Sequence, residues 1–87
     1  MFGKLFGKKA PPEVMPETYK EFAIFPAAVK EGGEYRLAAR IEKQIGEDLK
    51  IHHLIRADTF TAADAANDAG VAKAKQLIDQ MGDKLFN

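Results

Sequence analysis

Within the stretch Leu54 to Thr61 the apolar pattern of this chain changes its period, and that change limits what the chain can fold into. Up to Ala57 apolar and polar residues alternate, the period-two pattern of a half-buried strand. Asp58 breaks the alternation, and Thr61 stands where a helix N-cap is expected. Asp64, three residues on, nearly completes a capping box, whose usual third-position partner is Glu or Gln. From Ala62 onward the apolar residues recur at helical spacing. A strand running directly into a helix therefore closes the sheet and opens the final element.

Two earlier strands precede it. The first is predicted over Tyr19 to Ala28, with Phe22, Ile24 and Pro26 on one parity and Tyr19, Ala23, Phe25 and Ala27 on the other. Pro26 lacks an amide donor, which suits a sheet edge or a strand end. A turn over Lys30 to Tyr35 carries Gly32 and Gly33, residues that supply the positive φ angles of tight hairpins. The second strand, Tyr35 to Lys43, places Tyr35, Leu37, Ala39 and Ile41 on one face and Arg36, Ala38, Arg40 and Glu42 on the other. A second turn over Gln44 to Asp48 is centred on Gly46. The third strand, Leu49 to Asp58, is read with Leu49, Ile51, His53, Ile55 and Ala57 facing inward and Lys50, His52, Leu54, Arg56 and Asp58 outward.

The helical stripe is Ala63, Ala66, Gly70, Ala74, Leu77, Ile78 and Met81. Its N-terminal half is small, so the helix backbone is expected to approach the sheet closely. Gly82 is the expected C-cap, and Leu85 and Phe86 are expected to fold back over the core. The fold class is α+β: a three-stranded antiparallel meander followed by one long helix packed on one face. Residues 1–18 read as a flexible basic and apolar tail, and 19–87 as a single domain. In the tail Phe2, Leu5 and Phe6 lie at helical spacing beside Lys4, Lys8 and Lys9, a pattern suited to weak contact with an anionic membrane surface. The alternative is a leader without structure, since nine residues seldom hold a helix alone.

Composition removes several function classes. The 87 residues contain no cysteine, so disulfides, thiolate metal sites and a cysteine nucleophile are absent. Serine is also absent and threonine occurs three times, which leaves nucleophilic hydrolysis almost without candidates. His52 and His53 are strand neighbours and point to opposite faces, so they cannot share one metal. His53 is expected to be partly buried and His52 to lie at the surface. Gly32 and Gly33 precede no helix and form no phosphate loop. No catalytic role, metal or cofactor is expected. Acidic and basic residues balance at 13 each, against the basic excess usual in nucleic-acid-binding domains. No apolar run is long enough to span a bilayer, and the cytoplasm is the expected location.

One helix covers one sheet face, so the other face must meet water or a partner. A second turn centred on Gly46 sets Arg40 opposite His52 and Arg36 opposite Arg56. A first turn centred on Gly32 and Gly33 sets Phe25 opposite Arg40. The open face would then comprise Phe25, Ala38 and Leu54 rimmed by Arg36, Arg40, His52 and Arg56. Three uses suit it: phosphate and base contact on nucleic acid, a two-fold homodimer interface with an apolar centre, or a solvated sheet face.

Three segments of the chain resemble a family of small bacterial proteins. They are Gly33-Glu34-Tyr35-Arg36 through Arg40-Ile41-Glu42-Lys43, then Ile55-Arg56-Ala57-Asp58-Thr59-Phe60, then Ala72-Lys73-Ala74-Lys75-Gln76-Leu77-Ile78-Asp79-Gln80-Met81-Gly82-Asp83. The basic and aromatic opening Met1 to Lys9 is similar as well. The family is HlyU, labelled a transcriptional activator of haemolysin expression. The resemblance implies a regulatory role. With a single predicted helix there is no helix-turn-helix, so that role would need either DNA held on the sheet face or contact with another regulator.

Overall fold

The computed structural model describes residues 15–87. Among them, five antiparallel strands are followed by one α-helix and a short 3-10 segment: β1 Glu17–Tyr19, β2 Phe22–Pro26, β3 Val29–Glu31, β4 Glu34–Ile45, β5 Asp48–Phe60, α1 Ala63–Met81 and a 3-10 turn over Gly82–Phe86. The long strand β4 is the axis of the sheet. One of its sides pairs with β2 and then β3, the other with β5, and β1 lies outside β2. The α+β class holds, but the meander has five strands where three were expected.

Two features split the predicted first strand. Lys20 and Glu21 form a two-residue loop with φ of 50° and 72°, joining Tyr19 to Phe22 in a tight hairpin. That conformation normally calls for Asn and Gly, so two charged residues left no turn signal in the sequence. Downstream, β2 and β3 keep one register on β4 on either side of Ala27 and Ala28, from Pro26 opposite Ala39 to Val29 opposite Arg36. The Ala27 N–H donates to the Ala38 carbonyl (3.1 Å), while the Ala28 N–H turns away to Asn67 Oδ1 on α1 (2.9 Å).

The first hairpin keeps the predicted register, with Phe25 opposite Arg40. The second does not. Its loop is the pair Gly46 and Glu47, Ile45 faces Asp48, and only Gly46 has positive φ (63°). Positive φ at the first of two loop residues is the type II′ pattern, and it places the hairpin centre between Gly46 and Glu47. The resulting one-residue shift sets Arg40 opposite His53 and Ile41 opposite His52. A slip of one residue exchanges the faces of a whole strand. Leu54 is therefore buried and His52 half-buried, whereas Ile51, His53 and Ile55 are exposed.

The core lies between the inner sheet face and α1: Phe22, Ile24, Leu37, Ala39, Ile41 and Leu54 against Ala74, Ile78 and Leu85. The buried helix positions Ala66, Gly70, Ala74 and Ile78 recur every four residues, with Leu77 half-buried and Met81 exposed. At Gly70 a Cβ would stand 2.8 Å from the Ala38 carbonyl oxygen, so the helix rests on the backbone of β4. The N-cap is Ala62, whose side chain offers no oxygen to the first turn, and not Thr61. Asp64 in that turn complements the helix dipole. Gly82 caps the C-terminus, donating its N–H to the Ile78 carbonyl. Leu85 is buried beyond it and Phe86 stacks on Phe22 at 6.0 Å.

Polar contacts tie the sheet to the helix. Asp79 accepts hydrogen bonds from Tyr19 Oη (2.9 Å) and Lys20 Nζ (2.7 Å). Lys75 pairs with Glu17, and Lys43 Nζ donates to Asp83 (2.8 Å) while lying over the Phe22 ring. The hydrogen bond from Lys20, then that from Tyr19, holds the Asp79 carboxyl below its ordinary pKa.

Three outcomes follow from this packing. Gly70→Ala should destabilise by about 1–3 kcal/mol in chemical denaturation, because overpacking against a backbone oxygen outweighs the roughly 0.5–1 kcal/mol that alanine gains in helix propensity. Leu54→Ala should cost about 2–5 kcal/mol, whereas Ile55→Ala, measured at low micromolar concentration, should stay within about 0.5 kcal/mol. The reverse ranking would restore the register centred on Gly46. For Asp79 the sign follows from its lowered pKa: its stabilisation is present above the ordinary carboxylate range and is lost as pH falls through the folded-state value. In a side-chain carboxyl NMR titration its midpoint should lie below that of a free aspartate, and Lys20→Met should move it up further than Tyr19→Phe. An ordinary midpoint in the wild-type chain would mean that the tie to β1 does not form.

Candidate interaction face

The sheet face turned away from α1 is built by the register. Phe25 stands opposite Arg40 and Ala23 opposite Glu42 on one side of β4; Ile55, His53, Ile51 and Leu49 stand opposite Ala38, Arg40, Glu42 and Gln44 on the other. Beyond a bulge between Arg36 and Ala38, Arg36 faces Thr59 on β5 and Val29 on β3. Phe25, Arg36, Ala38 and Arg40 thus share the outer side of the sheet, as their sequence positions predict, but Ala38 is buried there and is not part of the open surface, while Phe25, Arg36 and Arg40 are half-buried. His52 and Leu54 do not: they lie on the helix side, beside Ile41 and Ala39. Lys50 is on that side too, opposite Lys43. Arg56 is exposed in the bulge; it faces no arginine, and its carbonyl accepts a hydrogen bond from Arg36 Nη1 (3.2 Å). The roles expected of the two histidines are likewise exchanged, His53 being the exposed one.

The arginines of this face are already occupied. Arg36 makes a two-pronged contact with Glu31, Nε to Oε2 at 2.8 Å and Nη2 to Oε1 at 2.7 Å. Hydrogen bonding from Arg36 lowers the Glu31 pKa, and the same contact raises that of Arg36. Arg40 pairs with Glu42 two residues along its own strand, and its guanidinium lies 4.1 Å from the centroid of the Phe25 ring. Arg36 and Arg40 are each balanced by an acid on the same face, which leaves Arg56 at the bulge as the arginine of the predicted set without an acidic partner among the described residues.

Exposed apolar residues are what the sequence reading missed. Leu49 (53% exposed), Ile51 (47%) and Ile55 (62%) run along the outer side of β5, and Val29 (42%) lies across β4 from them. The signal was present in the Gly46-Glu47 pair, since a leading glycine in a two-residue loop fixes both the turn type and the register.

A shallow concavity of about 820 Å³ opens between α1 and the end of β5, with Leu37 and Phe60 among its lining residues and Asp58, Lys73 and Gln76 also contributing. Lys73 donates a hydrogen bond to Gln76 there (3.1 Å). Among the described residues no group of three or more His, Asp or Glu side chains is placed to hold a metal ion, and no helix is long and apolar enough to cross a membrane. The tail residues Phe2, Lys4, Leu5, Phe6, Lys8 and Lys9 lie outside the described residues.

Neither a curated protein nor a solved structure matches the chain. A family model does: the one described as Transcriptional activator HlyU aligns with residues 1–86. That span takes in all five strands, α1 and the whole of the 3-10 turn, together with the segments Gly33 to Lys43, Ile55 to Phe60 and Ala72 to Asp83 that carry the sequence resemblance. On a match of that extent, the chain belongs to the HlyU family of transcriptional activators.

Proposed function

We propose that this chain is a non-catalytic, cytoplasmic regulatory domain that acts in transcription by protein contact, through the outer face of its sheet, and not by holding DNA itself. Family membership supports the regulatory role. The observation that carries the mode of action is the pairing of Arg36 with Glu31 and of Arg40 with Glu42 beside the exposed Leu49, Ile51 and Ile55. DNA affinity comes largely from cations that neutralise phosphates and release counterions. Cations already paired with carboxylates supply little of it, whereas a neutral apolar surface with an arginine rim suits a protein partner. The single α-helix of the described residues offers no helix-turn-helix. The absence of serine and cysteine from the chain supports a non-catalytic role.

DNA held on the sheet face is the rival reading, since three-stranded sheets can enter a major groove. A salt-titrated binding assay with the full chain, on specific and random duplex, separates the two. The expected result is no saturable binding at about 50 mM salt. Saturable binding that falls steeply with salt, and that weakens in Arg40→Ala or Arg56→Ala, would replace protein contact with DNA contact.

A further inference from the structure

Two edges of the sheet are short: β1 and β3 have three residues each, and β3 is exposed and partly charged. The edge formed by β5 is different, with 13 residues and no strand on its far side among the described residues. Its free backbone groups can be assigned. The Ala38 carbonyl accepts from Ala27, so Ala38 directs its hydrogen-bonding groups away from β5. Successive residues of a strand direct these groups to alternate sides. Arg40, Glu42 and Gln44 therefore also point away from β5. Their partners His53, Ile51 and Leu49, with Ile55 opposite Ala38, turn their own N–H and C=O groups to the free edge. These same four residues carry the outward side chains, three of them large, apolar and exposed. Long, apolar, unpaired edges are rare because they recruit further strands. This one contains no proline and no bulge between Asp48 and Ile55.

We propose that β5 pairs edge to edge with β5 of a second copy, antiparallel, across a two-fold axis at His52. This names the partner for the protein-contact reading above, and it rests on that reading. Charge selects the register. Antiparallel pairing through the outward groups of Leu49, Ile51, His53 and Ile55 requires odd residues to face odd residues. An axis at His53 would set Lys50 against Arg56 and Asp48 against Asp58, two like-charge pairs at each end. An axis at Ile51 would leave Ile55 and Arg56 opposite the turn residues Glu47 and Gly46. An axis at His52 pairs Leu49 with Ile55, Ile51 with His53 and Asp48 with Arg56, each pair occurring twice. Among the described residues neither Asp48 nor Arg56 has an ion-pair partner within the chain. The apolar side chains of both copies would then form one band across the joined sheets, closed by isologous symmetry.

The test is sedimentation of the full chain at pH 7.5 from about 5 to about 500 µM, a range suited to a contact at the small end of specific interfaces. A rising dimer fraction is expected. Asp48→Arg and Arg56→Asp should each abolish it, and the double exchange should restore it. Ile51→Pro removes one outward amide at an edge where proline is tolerated and should leave a folded monomer. If that variant fails to fold, the charge exchange still decides. Amide exchange gives an independent reading: Leu49, Ile51, His53 and Ile55 should slow as concentration rises, while Lys50, His52 and Leu54 stay protected throughout. A monomer at every concentration overturns the proposal, as does a dimer indifferent to both charge reversals. Edge amides that are slow at all concentrations in a monomer would overturn it in favour of the chain's own N-terminal residues on the edge. Steep, salt-dependent DNA binding would sink the protein-contact reading on a separate measurement.

Discussion

The close contact of Gly70 with the Ala38 carbonyl is the constraint on which the rest of the domain depends. β4 is the strand to which β2, β3 and β5 all pair, so whatever seats α1 on β4 sets the spacing of the whole inner layer. With no side chain at Gly70 and only methyl groups at Ala66 and Ala74, the helix drops onto the backbone of the strand. At that depth Ile78 reaches a core whose largest fully buried side chains are Ile24 and Ile41. Leu85 and the Phe86–Phe22 stack then close the end where the helix leaves the sheet. A domain this small buries little apolar surface. It compensates by proximity, and the exposed ties at Asp79, Lys75 and Lys43 add orientation more than energy, since surface ion pairs contribute little.

Much of this frame is legible in the sequence, and the exceptions have physical causes. The helix stripe, the close approach at its small-residue half, the cap at Gly82 and the return of Leu85 and Phe86 all follow from spacing alone. The register of the first hairpin follows too, because Gly32 and Gly33 are the two loop residues and the centre falls between them. Three things were hidden. Lys20 and Glu21 turn the chain in a conformation that neither side chain favours, so β1 carries no turn residue to announce it. Ala62 serves as N-cap although Thr61 is the better capping residue, because β5 runs on through Phe60. The parity of β5 is ambiguous, since Leu49, Ile51 and Ile55 on one parity compete with Leu54 on the other. Three apolar residues outvote one in a pattern count. The two-residue loop outweighs the count, because register is set by turn geometry.

That outcome bears directly on function. A pattern that alternates in the ordinary way would bury Ile51 and Ile55 and leave Leu54 and His52 outside. The observed register spends one leucine on the core and leaves three aliphatic residues on the surface of the longest strand. Leaving such residues on an edge strand costs solubility unless something covers them. Their place on the face where Arg36 and Arg40 are matched by Glu31 and Glu42 makes that surface close to electrically neutral. On the proposed reading, such a surface takes another protein in preference to a polyanion.

The same slip explains why charge and backbone agree at this edge. In a strand the face of a side chain and the direction of its backbone groups alternate together, so shifting β5 by one residue moves both at once. With Ile51, His53 and Ile55 facing out, their amides also face the open edge. Asp48 and Arg56, four residues either side of His52, then fall on the parity whose cross-strand neighbours approach most closely in an antiparallel pair. In the register centred on Gly46, the backbone groups at the edge would instead have belonged to Lys50, His52 and Leu54, and the same three residues would have supplied the outward side chains in place of Leu49, Ile51 and Ile55. A loop of two residues in place of three thus decides three things together: which leucine enters the core, which isoleucines stay out, and which backbone groups the edge strand presents.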